Sequence, residues 1–175
     1  MFNRHTGPGW FPTSLPLFII LYIILHFTSY KNMDSKKRFR HALFLVYCWI
    51  VTDLTLSPFP YSAEAIEHIR NFHSFRYNVD PSKHLITTQV ILNILFFIPF
   101  GMLLPSIVKR VRSFDIIFIT FSISLFIELT QLITSLTHLN VRSFDIVDLM
   151  ANTLGGIIGV ILYKIYKKVK PTSSL

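Results

Sequence analysis

Glu128 lies two thirds of the way along the apolar run FDIIFITFSISLFIELTQLITSL. An ionisable side chain at such a depth in a bilayer costs roughly 2.5–3.5 kcal/mol on insertion scales, so it needs a partner or a task. If the run is helical, Ser124, Glu128, Gln131 and Ser135 share one face. The next apolar run opens with a second polar set, Arg142, Asp145, Asp148 and Asn152, continued on the same face by Gly155 and Gly159. Only the short connection SLTHLNV separates the two runs, which makes them antiparallel neighbours with their polar stripes facing. Arg142 is then available to neutralise a carboxylate. Such a cluster suits either of two tasks, acid–base chemistry by a buried carboxylate of raised pKa or the docking of a polar ligand. Plainer readings stand beside these. Asp145 and Asp148 can cap and charge-match a helix start. Asn93 and Asp53 can act as interhelical hydrogen-bonding glue, and His26 as a packed polar residue. The glycines of ANTLGGIIGV read as packing devices, since nothing around them forms a P-loop or a Rossmann strand. There is no HExxH and no nucleophile paired with a base, and the single cysteine, Cys48, sits in an apolar run without a CxxC partner. No metal and no cofactor are expected.

The elements that must carry these groups follow from composition. Of 175 residues 51% are hydrophobic, 15% aromatic and only 15% charged, with a mean hydropathy of +0.51. That is more apolar surface than a soluble domain of this size can hide. The expected fold class is an all-α, polytopic transmembrane helical bundle of about five spans. A span takes roughly 20 apolar residues, and five windows come near it, at 10–30, 41–56, 85–108, 114–136 and 144–166. Pro12 and Pro16 crowd the start of the first. It is expected to be retained as a helix rather than cleaved as a signal, because only Arg4 precedes it and the heavy basic block follows it.

A formal net charge of +8 would fit a nucleic-acid partner if the cations lay along one face, but they fall in blocks between apolar runs. Lys31, Lys36, Lys37, Arg38 and Arg40 follow the first window, Lys109, Arg110 and Arg112 the third, and Lys164, Lys167, Lys168 and Lys170 the fifth. Basic loops resist translocation, so these blocks predict an N-terminus outside and a C-terminus inside. Asn93, Glu128, Gln131, Arg142, Asp145, Asp148 and Asn152 then all fall toward the outer leaflet. The long connection 58–84 is balanced in charge, and its stretch SAEAIEHIRNFHSF predicts either a short amphipathic surface helix or a solvated loop. Pro99 removes a helical hydrogen bond from the third window and predicts a kink eased by Gly101.

In order along the chain, TLSPF (55–59), NILFFIPFGMLLP (93–105), ELTQ (128–131) and VRSFDIVDLMANTLGGIIG (141–159) resemble the VanZ family of small membrane proteins. The most specific elements are Asn93, Phe97, Pro99 and Gly101, and the series Glu128, Gln131, Arg142, Asp145, Asp148, Asn152, Gly155, Gly159. The expected organisation is an N-terminal region 1–54 with two helices, a VanZ-like domain 55–166 with three, and a basic cytoplasmic tail 167–175. The resemblance implies a multi-pass protein of the bacterial plasma membrane with a part in glycopeptide resistance of the teicoplanin type. Its implied partners are membrane lipids and either a lipoglycopeptide or a lipid-linked envelope precursor, with no nucleic acid. Two other functions stay open at this point: an intramembrane enzyme with Glu128 as general base and Arg142 as an anion clamp, and a small transporter subunit, for which five helices are few.

Overall fold

The structure is a computed structural model that describes residues 14–31, 33–56, 67, 70–71, 77–82, 87–108, 110–137 and 144–169. Among the described residues it is all-α apart from one two-residue strand pair. Helix α1 (Leu15–Leu25) continues as a π-turn over His26–Tyr30, followed by α2 (Ser35–Leu56), strand β1 (Tyr77–Asn78), α3 (Thr88–Ile107), α4 (Ser113–Leu136), strand β2 (Phe144–Asp145) and α5 (Ile146–Val169). Of the stretch 62–75, expected as a surface helix or loop, Glu67, Arg70 and Asn71 are helical and exposed, and the rest lies outside the described residues.

Local chemistry sets several helix starts. Thr87 caps α3, its Oγ1 accepting from Val90 N–H at 3.3 Å. At α4 the carboxylate of Asp115 reaches back to the Arg112 N–H at 3.0 Å, and at α5 Asp145 Oδ1 accepts from Val147 N–H at 2.8 Å. Of Asp145 and Asp148, both read as able to cap this helix start, Asp145 makes the capping bond. Helix α3 runs through Pro99 and Pro105 without interruption.

Helices α2 to α5 are 22, 20, 24 and 24 residues long and apolar enough to cross a membrane. At 1.5 Å per residue each covers about 30 Å, the thickness of the hydrocarbon layer. The described part of the first helix, Leu15–Tyr30, is shorter, about 24 Å at the same rise. All five expected helices are present and four have spanning length. Their outer faces are apolar, with Phe114, Phe126 and Leu17 largely exposed, as a lipid solvent requires.

The tightest pairing is α3 against α5, and glycine makes it. A Cβ on Gly155 would run into the carbonyl of Ile94, one on Gly159 into that of Ile98, and one on Gly101 into that of Gly156. The small residues therefore let two backbones touch, as small-xxx-small spacing does in membranes. Around this seam Phe97, Phe100 and Leu104 of α3, Ile116 and Ile127 of α4, and Val51 of α2 complete the core. Two tyrosines brace α3 near its prolines, Tyr47 donating to the Phe96 carbonyl at 2.6 Å and Tyr163 to that of Pro105 at 3.2 Å.

Candidate functional site

The site forms where α2 ends, α3 begins, α4 ends and α5 begins, all at one end of the bundle. The stripe read from α4 is buried as a unit: Ser124, Glu128, Gln131 and Ser135 are all core residues, with Glu128 only 2% exposed. Helical geometry explains this, since a 3.6-residue period turns all four toward α3 and α5. From α5, Asp148 and Asn152 face the same space, and from α3 Gln89, Leu92, Asn93 and Phe96. The last turn of α2 adds Leu54 and Thr55. Together they enclose a cavity of about 190 Å³.

Hydrogen bonds fix its walls. Glu128 Oε2 accepts from the Asp145 N–H at 3.0 Å, which ties α4 to the residue that caps α5. Asn152 Nδ2 donates to Ser124 Oγ at 2.9 Å across the same pair. Gln131 Nε2 donates to the Thr55 carbonyl at 2.7 Å, joining α4 to α2, and Gln89 Nε2 donates to Asn93 Oδ1 at 3.1 Å along α3. The facing of the two polar stripes, expected from spacing, is thus present.

Of the sequence-expected residues, Asn93, Glu128, Gln131, Asp148 and Asn152 line the cavity. Asp145 stands at its rim, bonded to Glu128 through its backbone and to Asn78 through its side chain. Gly101, Gly155 and Gly159 belong to the α3–α5 seam, and Pro99 lies within α3. Arg142 lies outside the described residues. Asp53, read from the sequence as able to act as interhelical glue, bonds across helices: its Oδ1 accepts from the Ser14 N–H at 3.1 Å, at the start of α1, and it does not line the cavity. His26 packs against the rings of Tyr22 and Phe27.

One element has no counterpart in the sequence reading. Strand β1 pairs in parallel with β2, Tyr77 with Phe144 and Asn78 with Asp145, and Asn78 Nδ2 donates to Asp145 Oδ1 at 2.9 Å. The connection between α2 and α3 is thereby fastened beside the site. Two-residue strands leave no periodicity to find, and Asn78 is one polar residue among many in its loop.

Chemically the cavity offers carboxylates and carboxamides against apolar walls. Ser124 is shut off from it, fully buried and engaged by Asn152, so it presents no nucleophile there. Among the described residues no group of three His, Cys, Asp or Glu side chains is placed to hold a metal ion. A larger apolar hollow of about 340 Å³ between α1 and α2 shares no residue with the site.

Against known proteins, the family model described as VanZ/LLP1 matches residues 14–167, a stretch that takes in all five helices nearly whole. No curated protein and no solved structure matches the chain.

Proposed function

From the premise that the chain belongs to the VanZ/LLP1 family, we propose that it is a multi-pass protein of the bacterial plasma membrane that contributes to teicoplanin-type glycopeptide resistance through its polar cavity. In this reading the cavity opens toward the outer leaflet and engages the polar part of an amphipathic ligand, either a lipoglycopeptide or a lipid-linked envelope precursor. The observation that carries it is the burial of Glu128 at a cavity wall built from four helices. A carboxylate at that depth is costly even when partnered, as Glu128 is by the Asp145 N–H, and such residues characteristically mark ligand or ion sites. The basic blocks at the opposite helix ends, Lys36 to Arg40, Arg110 to Arg112 and Lys164 to Lys168, support the orientation.

The test is expression in a susceptible host, with teicoplanin and vancomycin susceptibility measured alongside confirmed membrane insertion. The intact chain should raise the inhibitory concentration of teicoplanin, and Glu128→Leu should abolish the rise. An inserted protein that changes susceptibility to neither drug overturns the proposal. Glu128→Gln keeps an oxygen to accept from Asp145 N–H and should retain most of the phenotype, whereas an acid or base role would lose it.

A further inference from the structure

The lining of the cavity also carries information about what fits it. Asn93, Gln131 and Asn152 are 7%, 6% and 3% exposed, and each has spent only part of its hydrogen-bonding capacity. Asn93 accepts once, from Gln89; Gln131 and Asn152 donate once each, to the Thr55 carbonyl and to Ser124 Oγ. Among the described residues this leaves Asn93 Nδ2, Gln131 Oε1 and Asn152 Oδ1 without a hydrogen bond. None of the three atoms is sealed off inside packed protein; they belong to side chains that line the cavity. A group that enters the cavity and displaces water from these atoms without matching their hydrogen bonds forfeits about 1–3 kcal/mol for each, so an occupant meets one donor and two acceptors along the cavity wall.

A hydroxyl group matches that set better than other small groups, because one oxygen both donates and accepts. An ammonium only donates, a phosphate oxygen only accepts, and a quaternary ammonium does neither. The volume, about 190 Å³ or on the order of six waters' worth, admits a headgroup and not a whole lipid. Leu92, Phe96 and Ile127 offer apolar wall for the first carbons of an attached chain. Asn93 stands only five residues inside the start of α3, about 8 Å along its axis. A headgroup would have to sink that far below the end of the bundle to reach it.

We infer that the cavity takes the hydroxylated headgroup of a membrane amphiphile, held by Asn93, Gln131 and Asn152. This rests on the reading of the cavity as a ligand site and narrows its ligand to a class. Two membrane sources share the chemistry, a glycerol headgroup and a sugar headgroup.

The full chain, purified in detergent, is offered equal amounts of phosphatidylcholine, phosphatidylethanolamine, phosphatidylglycerol and monoglucosyldiacylglycerol with identical acyl chains, and retained lipid is read by native mass spectrometry. One or both hydroxylated lipids should be retained about fivefold or more over the other two, the yield of about one net hydrogen bond. Retention of the glucosyl lipid alone names the sugar as source, and of phosphatidylglycerol alone the glycerol. Asn93→Leu should bring the preference close to parity. Leu92→Trp, which blocks the cavity while leaving every buried hydrogen bond in place, should do the same. Equal retention of phosphatidylcholine, or a preference that survives Leu92→Trp, overturns the inference. Susceptibility measured on the same variants separates the two claims. Loss of tolerance without a hydroxyl preference sinks the inference alone, and a preference without any effect on tolerance sinks the proposed function alone.

Discussion

Asn152 and Ser124 illustrate what a single polar pair contributes inside this bundle. Their hydrogen bond joins α4 to α5 beneath Glu128. Pairs of this kind in membranes are worth about 0.6 kcal/mol on average and at most about 1.7, because a serine deprived of its partner can turn to a carbonyl of its own helix. A double-mutant cycle over Ser124→Ala and Asn152→Ala, followed by unfolding in mixed micelles, should therefore give a coupling of about 0.6–1.7 kcal/mol. Near-zero coupling would mean the bond has no weight in the folded protein. At this scale much was legible in advance. Glu128 with Gln131, and Asp148 with Asn152, stand three or four residues apart, and that spacing alone turned them inward. Asp53 was not legible in this way. Its face of α2 meets the start of α1, and nothing in the spacing of α2 says which neighbour an isolated carboxylate will meet.

Among elements, the α3–α5 seam distinguishes glycines that meet backbone from the one that meets a side chain. Gly159 faces the Ile98 carbonyl, which cannot move without parting the helices; a Cβ on Gly156 would lie 2.5 Å from Thr120 Cγ2. Gly159→Ala should destabilise by about 2–3 kcal/mol, the upper range of overpacking, with no side-chain change able to restore it. Gly156→Ala should be relieved by Thr120→Ala, so that the double variant unfolds at a higher denaturant fraction than Gly156→Ala alone. A second element-scale prediction concerns the strand pair. Asn78→Ala removes the donor to Asp145 Oδ1, and amide exchange at residues 77–78 and 144–145 should accelerate while α3 and α5 keep their protection. Helices were visible in the sequence because a spanning helix needs a long apolar run and close helix packing needs small residues. The strand pair was not, since a contact between positions 67 residues apart in the chain, Asn78 and Asp145, depends on the assembled bundle.

For the whole molecule, the alternation of basic blocks gives a topology that can be tested without knowledge of any ligand. In a Cys48→Ala background, single cysteines at Ser62 and His138 should react with a membrane-impermeant thiol reagent on intact cells, and one at Ser35 should react only after lysis. The reverse pattern would put the cavity on the cytoplasmic side and remove the outer-leaflet reading. The β1–β2 pairing has a consequence for how the protein is made. Chains emerge N-terminus first, at about 5–20 residues per second, and β2 directly precedes α5. Until β2 leaves the ribosome Glu128 has no Asp145 N–H to accept from and β1 lacks its pairing strand, and until α5 follows Ser124 has no Asn152. The cavity therefore cannot form before α5 is made, and until then α4 lacks the partners that β2 and α5 supply. A chain cut short before residue 144 would carry α4 without the contacts that Asp145 and Asn152 make to Glu128 and Ser124.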